Sequence, residues 1–537
     1  MYYNYYQKPT EEIKNDMTIG IYSVNPTLSS LQEFILLYLK ETAFYLLELK
    51  KLGIDNKAIR DHILEALSGI VIGAEYNEGQ FQRLNSFLYE NLNQAKVLYS
   101  EICMRHNLEQ KILKSYFKHK KNYVLSEVIK RGEKFSIKKN TVFNTEQKQV
   151  FDIMLILLKN MCIKMLELRN LGQEYDEAYF AMLSLLNIMN LHHVSVEAAK
   201  PEIEKFIEIF YNVVKRVYWC SVGAYGVDSL VDVSFTTRPG KAILISGNDL
   251  KELELLLKAT EGKGLDVYTH GLEMLVAHSF PKIRAYKHLV GHFSRGIGSH
   301  VVDIASFPGP ILMTRHTLQK TNDLYHGNIF TSDIIPPQGA TKIFNNDFSP
   351  LIKAAQEARG FSLGAVKEGV KVGYDEKEVI AKVNRVLDQM EEGKIKHLYF
   401  LGLWHDADEP SQYFNDFFKL VPDDCFVFSF SYNVTRENVY HLESYYDYSL
   451  VYKILKAIRK RKPLSEVKMT VFLTHCDKNT VANVINLWEM GVKNIFMCEC
   501  PPVLINPPLI GALRNFFGLK SFTTPKQDIE TTLIGEG

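Results

Sequence analysis

The stretch KAILISGNDLKELELLLKATEGKGLDVYTHG, residues 241–271, predicts the fold class of the C-terminal half of the chain. Its two ends, 241–247 and 265–271, are short apolar runs of strand-like composition. Between them lies a Leu-rich run with charged ends, which is typical of a helix. Parallel strands need a long crossover connection, so strand, helix and strand in this order indicate a parallel βαβ unit.

The alternation of strands and helices continues toward the C-terminus. ILMT (311–314) and NIFTS (328–332) are further strand candidates, and a charged run near residue 391 indicates a domain boundary. A second set of strand candidates follows: HLYFLGL (397–403), CFVFSFS (425–431), MTVFLTH (469–475) and NIFMCEC (494–500). The sequence therefore predicts an α/β domain over 231–390 and a Rossmann-like α/β domain over 391–537, each with a central parallel sheet. No strand of the second set is followed by G-x-G-x-x-G or a Walker loop, so nucleotide binding lacks motif support.

Toward the N-terminus the apolar spacing is helical, from about residue 28 to residue 225. LQEFILLY (31–38) has apolar or aromatic residues at its first, fourth, fifth and eighth positions, as one face of a helix requires. LLELKKLG (46–53) recurs 119 residues later as MLELRNLG (165–172), and the final glycine of the first copy is predicted to end its helix. Each copy lies between two long apolar stripes. The sequence therefore predicts two related helical bundles within a helical domain over 1–230.

Composition and charge limit the classes of protein to which the chain can belong. The chain has 537 residues, of which 46% are hydrophobic, and 63 Lys and Arg stand against 62 Asp and Glu, for a net charge of +1. This near-balance argues against a nucleic-acid-binding protein defined by bulk charge. The N-terminus has no apolar core of signal-peptide length, and no window of about 18 uncharged apolar residues exists. We therefore expect no membrane span and a cytoplasmic location.

Tyrosine is abundant and cysteine is scarce. There are 29 tyrosines, four of them in the opening MYYNYY, against seven cysteines. An odd number of widely spaced cysteines argues against a disulfide framework. Only the last two cysteines lie close together, and we interpret them as incidental thiols, the alternative being a soft-metal site on one face of a strand. The seven are Cys103, Cys162, Cys220, Cys425, Cys476, Cys498 and Cys500.

One segment is strongly basic. Residues 114–139 carry nine Lys and Arg against two Glu, which is +7 on a chain of +1 overall. A solvated helix–loop surface is the simpler interpretation, and the alternative is a docking face for an acidic partner that uses Lys118, Lys120 and Lys121. Aromatic residues are interleaved, but no RNA-binding motif accompanies them, which argues against nucleic acid. A second basic cluster, IRKRK at 458–462, is expected from the helix dipole alone.

Several motifs resemble, in order, those of the hybrid-cluster proteins, which are also called prismane proteins or hydroxylamine reductases. GLDVYTHGLEMLVAHSFP (264–281) is similar to that family's signature, whose usual wording is close to VYTHGEMLPAH-YP. The other matching segments are ILISGNDL (family ISGHDL), ILMTRHTLQ (family MTTNCIQ), DFSPLI (family DFSPVI) and GVKNIF with the terminal FFGLKSFTTPKQDI. The likeness covers nearly the whole chain. It implies a multidomain α and α/β fold and two iron–sulfur centres, a cubane held by four cysteines near the N-terminus and a mixed iron–sulfur–oxygen cluster between the domains.

The residues at the cubane positions are not cysteines. The family opening, close to M-x-C-x-x-C-Q, falls on MYYNYYQ and places Tyr3 and Tyr6 at the first two cysteine positions. The family's G-V-C-G-K falls on GIYSV and places Tyr22 at the last one. The remaining cysteine would fall near Asp16 or Met17. The resemblance therefore implies that this chain cannot form the cubane.

The positions that match the second cluster have also changed. Asn248 replaces a histidine, Asp477 a glutamate and Asn479 a lysine, while Glu273 keeps its glutamate behind an inserted Leu272. Cysteines are replaced at the other four positions. In chain order, all eight positions of this second set are Asn248, Glu273, Thr317, Trp404, Tyr432, Tyr445, Asp477 and Asn479. With the cubane, every one of the family's eight cysteine positions is lost.

This pattern predicts a fold that is kept without its cofactor. Thiolates, carboxylates and imidazole bind iron, whereas phenol, indole and alkyl groups do not replace soft thiolates. Bulky aromatic side chains can fill the cavity that a lost cluster leaves. An unfilled cavity would lower the free energy of unfolding by about 24 cal/mol per Å3. The preferred interpretation is a cofactor-free homologue, a pseudoenzyme that serves as a structural, binding or assembly subunit. Its expected partner is a protein: an acidic one, an intact paralogue or a second copy of the chain.

An enzyme is the alternative. It would be a hydroxylamine or nitric-oxide reductase-like oxidoreductase, or would have a new activity at a metal site in the old cluster pocket. Histidines with a carboxylate suit Zn or non-haem Fe. The weak candidates are Glu273, His316, His405, Asp406, His475 and Asp477. The histidines are offset from the ligand positions, and strand neighbours face opposite ways, so we predict that no metal is bound.

Overall fold

The N-terminal part of the chain is helical. The structure, a computed structural model, describes residues 26–72, 77–113, 118–135, 144–191, 194, 196–294, 300–315, 317–318, 327–333, 336–337, 339–403, 412–430, 434–442, 448–473, 478–497 and 507–534. Up to residue 225 its elements are α1 (Pro26–Lys51), α2 (Lys57–Ile72), α3 (Glu78–Arg105), α4 (Leu125–Phe135), α5 (Thr145–Asn170), α6 (Asp176–Ile188) and α7 (Val196–Tyr225). Asn77 and Asn144 begin α3 and α5 with capping boxes, because each accepts from the third helical residue and that glutamine bonds back.

The repeated sequence forms the same turn twice. Gly53 and Gly172 follow α1 and α5 with φ of +76° and +78°, in the left-handed region that glycine adopts without strain. The N–H of the next residue donates back into the last turn of each helix, Ile54 to Leu49 at 3.0 Å and Gln173 to Leu168 at 3.1 Å. The next helix then begins four residues after each glycine. The repeated sequence therefore forms two similar helix–turn–helix units.

The two copies pack against each other. α1 contacts α6 and α2 contacts α5, while α3 and α4 cover α1, and α7 covers α5 and α6. Their apolar residues form one continuous core that includes Phe34, Leu67, Leu157 and Leu186. Each copy therefore buries its apolar stripe against the other copy, because a single helix pair cannot bury both faces alone.

The middle of the chain builds a six-stranded parallel sheet, here called the first sheet. Its strands are β2 (Lys241–Ser246), β3 (Leu265–His270), β4 (Leu289–His292), β5 (Ile311–Met313), β6 (Ile329–Thr331) and β7 (Ala340–Lys342). The spatial order is β4-β3-β2-β5-β6-β7. The helices of this part are α8 (Leu250–Thr260), α9 (Leu272–Val276), α10 (Pro281–Arg284), α11 (His300–Ser306) and α12 (Ser349–Glu357). β1 (Val231–Val233) and β8 (Val370–Val372) form a separate antiparallel pair.

The C-terminal part builds a second parallel sheet of six strands, here called the second sheet. The strands are β9 (His397–Leu403), β10 (Cys425–Ser429), β11 (Val439–His441), β12 (Met469–Leu473), β13 (Asn494–Met497) and β14 (Lys520–Ser521), in the order β11-β10-β9-β12-β13-β14. The helices are α13 (Glu376–Glu391), α14 (Gln412–Leu420), α15 (Tyr448–Arg461), α16 (Lys478–Met490), α17 (Pro507–Phe517) and α18 (Pro525–Ile534). Numbered by their own succession, both sheets have the doubly wound order 3-2-1-4-5-6. The predicted fold class is confirmed.

The second sheet joins two cores. Leu398 and Phe400 of β9 belong to the core of the helical part, whereas Tyr399 and Leu401 belong to a core beneath α14 and α18. This alternation follows from the two-residue period of a strand. The predicted domain boundaries at residues 230 and 390 stay predictions. Among the helices described, none is long and apolar enough to cross a membrane.

Candidate functional site at the carboxyl edge of the first sheet

The candidate site lies where the strand order reverses. β2 and β5 are neighbours in the first sheet, and their last residues, Ser246 and Met313, are register partners. Asn248 lies two residues beyond β2, and Thr317 lies four residues beyond β5. Open α/β sheets bind ligands at this point, outside the carboxyl ends of the strands. The structure therefore brings two sequence-predicted positions to one edge.

Thr314 holds the two loops together. Its N–H donates to the Ser246 carbonyl at 2.8 Å, and its Oγ1 accepts from the Asn248 N–H at 3.1 Å. Gly247 lies between these contacts with φ of +133°, and a Cβ there would meet Thr314 Oγ1 at 1.8 Å. Only glycine leaves room for this close approach. The hydroxyl of Thr317 donates to the Thr314 carbonyl at 2.5 Å.

Most of the other predicted residues lie outside the described part of the chain. Glu273 lies in α9 and Asn479 in α16, but the description does not extend to their side chains. The remaining predicted residues outside the description are Tyr3, Tyr6, Tyr22, His316, Trp404, His405, Asp406, Tyr432, Tyr445, His475 and Asp477. The chain leaves β9, β10, β11 and β12 at the same edge of the second sheet, because these strands are parallel neighbours.

Four cysteines are described, and none lies at a carboxyl edge. Cys103 and Cys162 are buried within α3 and α5, and Cys220 is half-buried in α7. Cys425 is the first residue of β10, so it lies at the opposite, amino edge of the second sheet. Burial, followed by the charge of Asp424, raises the pKa of the Cys425 thiol to about 12. It is therefore a protonated core thiol at neutral pH.

A buried histidine cluster lies at the ends of β2, β3 and β4, and the sequence alone could not show that its members meet. Thr269 Oγ1 lies 2.8 Å from His278 Nε2 and 2.9 Å from His292 Nδ1. Ser246 Oγ lies 2.9 Å from His270 Nδ1. Burial lowers the pKa of His278 to about 4, so its imidazole is neutral at physiological pH. The available signal was that His270 and His292 each end a short apolar run.

This cluster contains the residue types of a hydrolytic triad without its geometry. Asp303 Oδ2 lies 3.7 Å from His270 Nε2, beyond hydrogen-bond distance. His270 faces Ser246 through the other nitrogen, and all three side chains are at most 3% exposed. A nucleophilic serine needs an aligned base and access for substrate. The cluster instead satisfies buried polar atoms at the strand ends.

Glu252, in the first turn of α8, binds two loops of the same edge. Its carboxylate accepts from the N–H of Arg315 at 2.9 Å, beyond β5, and from the hydroxyl of Ser332, beyond β6. Burial, with the nearby charge of Asp249, raises the pKa of Glu252 to about 7. Asp249 caps α8 and accepts from Asn170 of α5 at 2.5 Å, which ties the edge to the helical part.

Comparison with known proteins decides the family. A sequence profile described as the Prismane/CO dehydrogenase family matches residues 13–432, which is most of the chain. This chain belongs to the Prismane/CO dehydrogenase family. The resemblance stated from the motifs is therefore confirmed.

The relatives that match are named hydroxylamine reductases. The protein of Thermodesulfovibrio yellowstonii is 27% identical over 544 residues, covering 97% of this chain and 99% of that protein. The protein of Maridesulfovibrio salexigens is 27% identical over 486 residues, with coverage of 87% and 90%. That of Shigella boydii serotype 18 is 32% identical over 326 residues, with coverage of 58% and 59%.

A solved structure is similar over most of the chain. It contains alpha subunits of an acetyl-CoA synthase/carbon monoxide dehydrogenase, and it covers 96% of this chain and 83% of its own. The TM-score is 0.46 and the identity 12%, values too low to support an argument about function.

The cofactor implied by resemblance to this Prismane/CO dehydrogenase family can be tested against the two ligand positions whose side chains are described. Asn248 offers a neutral amide, and the hydroxyl of Thr317 is bonded to a backbone carbonyl. Neither group is a ligand of iron–sulfur clusters. Within the described ranges, no group of three or more His, Cys, Asp or Glu could hold a metal ion. These two positions therefore do not fit the family's second cluster.

Proposed function

We propose that this chain is a member of the Prismane/CO dehydrogenase family that binds no iron–sulfur cluster and works as a binding, structural or assembly subunit. One observation carries the proposal: at the eight positions that match the family's cysteines, this chain has no cysteine. A cluster can tolerate the exchange of a ligand, but it cannot assemble without any thiolate. The proposed location is the cytoplasm.

The structure supports this proposal at the first sheet. Thr317 replaces a cysteine and Asn248 a histidine; the Thr317 hydroxyl and the backbone N–H of Asn248 both donate to Thr314. The described cysteines lie inside helices or at the amino edge of the second sheet. None of these thiols compensates for the lost ligands from a neighbouring position.

Iron and acid-labile sulfide analysis tests the proposal. The chain is produced and purified anaerobically with iron and cysteine supplied during growth, and we expect far less than one iron per chain and no brown chromophore. The hydroxylamine reductase of Thermodesulfovibrio yellowstonii, prepared in the same way, controls for cluster assembly by the host. Stoichiometric iron and sulfide in this chain would overturn the proposal.

A second candidate function follows from the family itself. The relatives are named hydroxylamine reductases, so this chain could reduce hydroxylamine to ammonia and water with two electrons and two protons. Viologen-linked turnover, measured together with the metal content of the same sample, separates the two functions. Turnover that rises with bound metal would replace the first proposal, and absence of both turnover and metal would remove the second.

A further inference from the structure

The segment between α3 and α4 crosses the helical part as a strap that runs opposite to α1. Its described residues touch successive turns of α1, from the end of the helix to its beginning. The contacts are Lys111 with Glu48 (3.5 Å), His119 with Glu41 (2.5 Å), the Lys120 carbonyl with the Tyr38 hydroxyl (3.2 Å), and the Tyr123 ring with the Phe34 ring (5.6 Å between centroids). We call residues 118–124 the basic strap.

Buried donors hold the backbone of the basic strap. Asn85 of α3 is fully buried, and its amide donates to the carbonyl oxygens of Lys120 at 3.1 Å and Lys121 at 2.5 Å. The hydroxyl of buried Tyr123 donates to the carbonyl of Lys118. Three successive lysines therefore have their carbonyl groups directed into the protein. The strap is ordered before any partner binds, which lowers the entropic cost of binding.

The side chains of the same lysines are accessible to solvent, and the amino group of Lys120 lies over the Tyr123 ring, 5.5 Å from its centroid. Lys118, Lys120 and Lys121 are exposed, and Lys121 pairs with Glu90 of α3 at 2.8 Å. Across the residues that the structure describes, no carboxylate lies within ion-pair distance of Lys118 or Lys120. The nearby carboxylate of Glu41 is buried instead, where it is bonded to His119. The outer surface of the strap is therefore positively charged.

The second basic cluster of the chain is used internally. At the end of α15, Arg461 donates to Asp388 of α13 at 2.7 Å and to Glu391 at 2.8 Å. These contacts bind α15 to α13 and neutralise part of the cluster. Among the two basic clusters that the sequence contains, the strap is the better candidate for an external partner.

We infer that the basic strap is a docking surface for an acidic protein segment, an inference that rests on the proposed role as a binding subunit. Adjacent cations attract an acidic partner and speed its association. Val124 is 53% exposed and Ile112 is 77% exposed, so apolar contact is available toward both ends. Tyr123, the aromatic residue of the strap, is buried and cannot stack on a base, which favours protein over single-stranded nucleic acid.

The test measures the binding of a defined acidic probe to the full chain. The probe is a fluorescein-labelled peptide of repeated Glu-Leu-Glu-Glu units, followed by fluorescence anisotropy at low salt. The double variant Lys118→Glu with Lys120→Glu is expected to bind about tenfold more weakly, because two attractions become repulsions. Raising NaCl from about 50 to about 200 mM should weaken the unaltered chain more than the variant.

The matched control reverses the same number of charges elsewhere. Lys460→Glu with Lys462→Glu changes two exposed lysines at the end of α15, and its affinity should stay within about twofold of the unaltered chain. Equal weakening by both double variants would show non-specific attraction and overturn the inference, as would an unchanged affinity of the strap variant. Circular dichroism and thermal melting confirm that both variants are folded.

Two further measurements distinguish an acidic protein partner from a lipid surface or RNA, and the docking surface from the proposed function. Tighter binding of vesicles of phosphatidylcholine and phosphatidylglycerol, or of a single-stranded RNA oligonucleotide, would overturn the assignment to an acidic protein. Iron is measured in every preparation. If the chain contains iron and binds the peptide through the strap, the proposed function is wrong and the docking surface stands. If the chain is free of iron and does not bind the peptide, only the docking surface is wrong.

Discussion

Gly247 shows how a single residue shapes the carboxyl edge of the first sheet. The loop beyond β2 passes so close to Thr314 that a side chain has no room, and the backbone is in a conformation that other residues rarely adopt. Sequence reasoning placed Asn248 beside this glycine as a lost ligand, but it could not find Thr314. The partner is 67 residues away along the chain, and only the pairing of β2 with β5 brings it near.

Replacing Gly247 by Ala should destabilise the fold strongly. We expect a loss of about 3 kcal/mol or more in the free energy of unfolding, since the new Cβ overlaps Thr314 and either the loop or β5 must shift. Urea denaturation followed by circular dichroism measures it. Gly393→Ala is the matched control, because Gly393 has φ of +74° with nothing within 4 Å of the new Cβ, and it should cost about 1 kcal/mol. Equal losses would contradict the steric explanation.

Glu252 should make stability depend on pH. A carboxyl whose pKa is about 7 when folded and 4.5 when unfolded binds more protons in the folded state. The free energy of unfolding therefore falls as pH rises from about 4.5 to about 7, by up to about 3 kcal/mol from this group. Glu252→Gln should lack this loss. Denaturation curves should therefore show that the variant's free energy of unfolding, relative to that of the unaltered chain, is higher at pH 8 than at pH 5.

Glu254, two residues further along α8, is the control of opposite sign. Burial raises its pKa, but bonds from Lys251 and Lys258 outweigh burial and hold the pKa below its usual value. Its contribution to stability is therefore present above about pH 4.5 and lost as pH falls. Glu254→Gln should leave the slope between pH 5 and pH 8 unchanged. A Glu252→Gln variant with the slope of the unaltered chain would contradict the raised pKa.

At the scale of elements, long buried strands were predictable and short edge strands were not. β2, β3, β9, β10 and β12 are five to seven residues long, and each lies within a predicted run. β4, β7, β11 and β14 have two to four residues, most of them half-buried, and are too short to be distinguished from the loops around them. They form only because the backbone of a neighbouring strand provides hydrogen-bond partners. Strand order likewise depends on pairing and cannot be derived from one segment.

The basic strap should loosen when its buried anchor is removed. Asn85→Leu keeps the branched shape of the side chain, but it takes the amide donor from the Lys121 carbonyl and the acceptor from the Tyr38 hydroxyl. We expect a cost of about 2 kcal/mol and faster tryptic cleavage after the lysines of the strap. Asn93→Leu is the control, because Asn93 is exposed on the same helix. Equal cleavage rates in the two variants would show that Asn85 does not hold the strap.

At the scale of the whole molecule, one lysine joins parts that are distant in sequence. Lys453 of α15 lies 3.4 Å from Asp228, which follows α7, and 3.3 Å from Glu376, which begins α13. Its amino group also lies over the rings of Tyr218 and Tyr374, 4.9 and 4.5 Å from their centroids. Sequence reasoning had no signal for this junction, because its members are separated by up to 235 residues.

Lys453→Met should weaken that junction. The methionine keeps most of the buried stem, but it leaves Asp228, whose side chain is 4% exposed, without its cation. We expect a loss of about 3 kcal/mol in the free energy of unfolding. Lys456→Met is the control, because Lys456 is exposed on the same helix with its amino group over the Trp219 ring. A loss no larger than in the control would contradict a structural role for the junction.

The shared core of the helical part and the second sheet has a consequence for synthesis on the ribosome. Residues of α5 and α7 contact α16 and α17, so these two helices emerge well before the surface that covers them. At about 5–20 residues per second, an interval of roughly 300 residues is on the order of 15–60 s. During that time the nascent helices expose a wide apolar face to solvent. Efficient production of this chain should therefore depend on chaperones that shield the face until translation is complete.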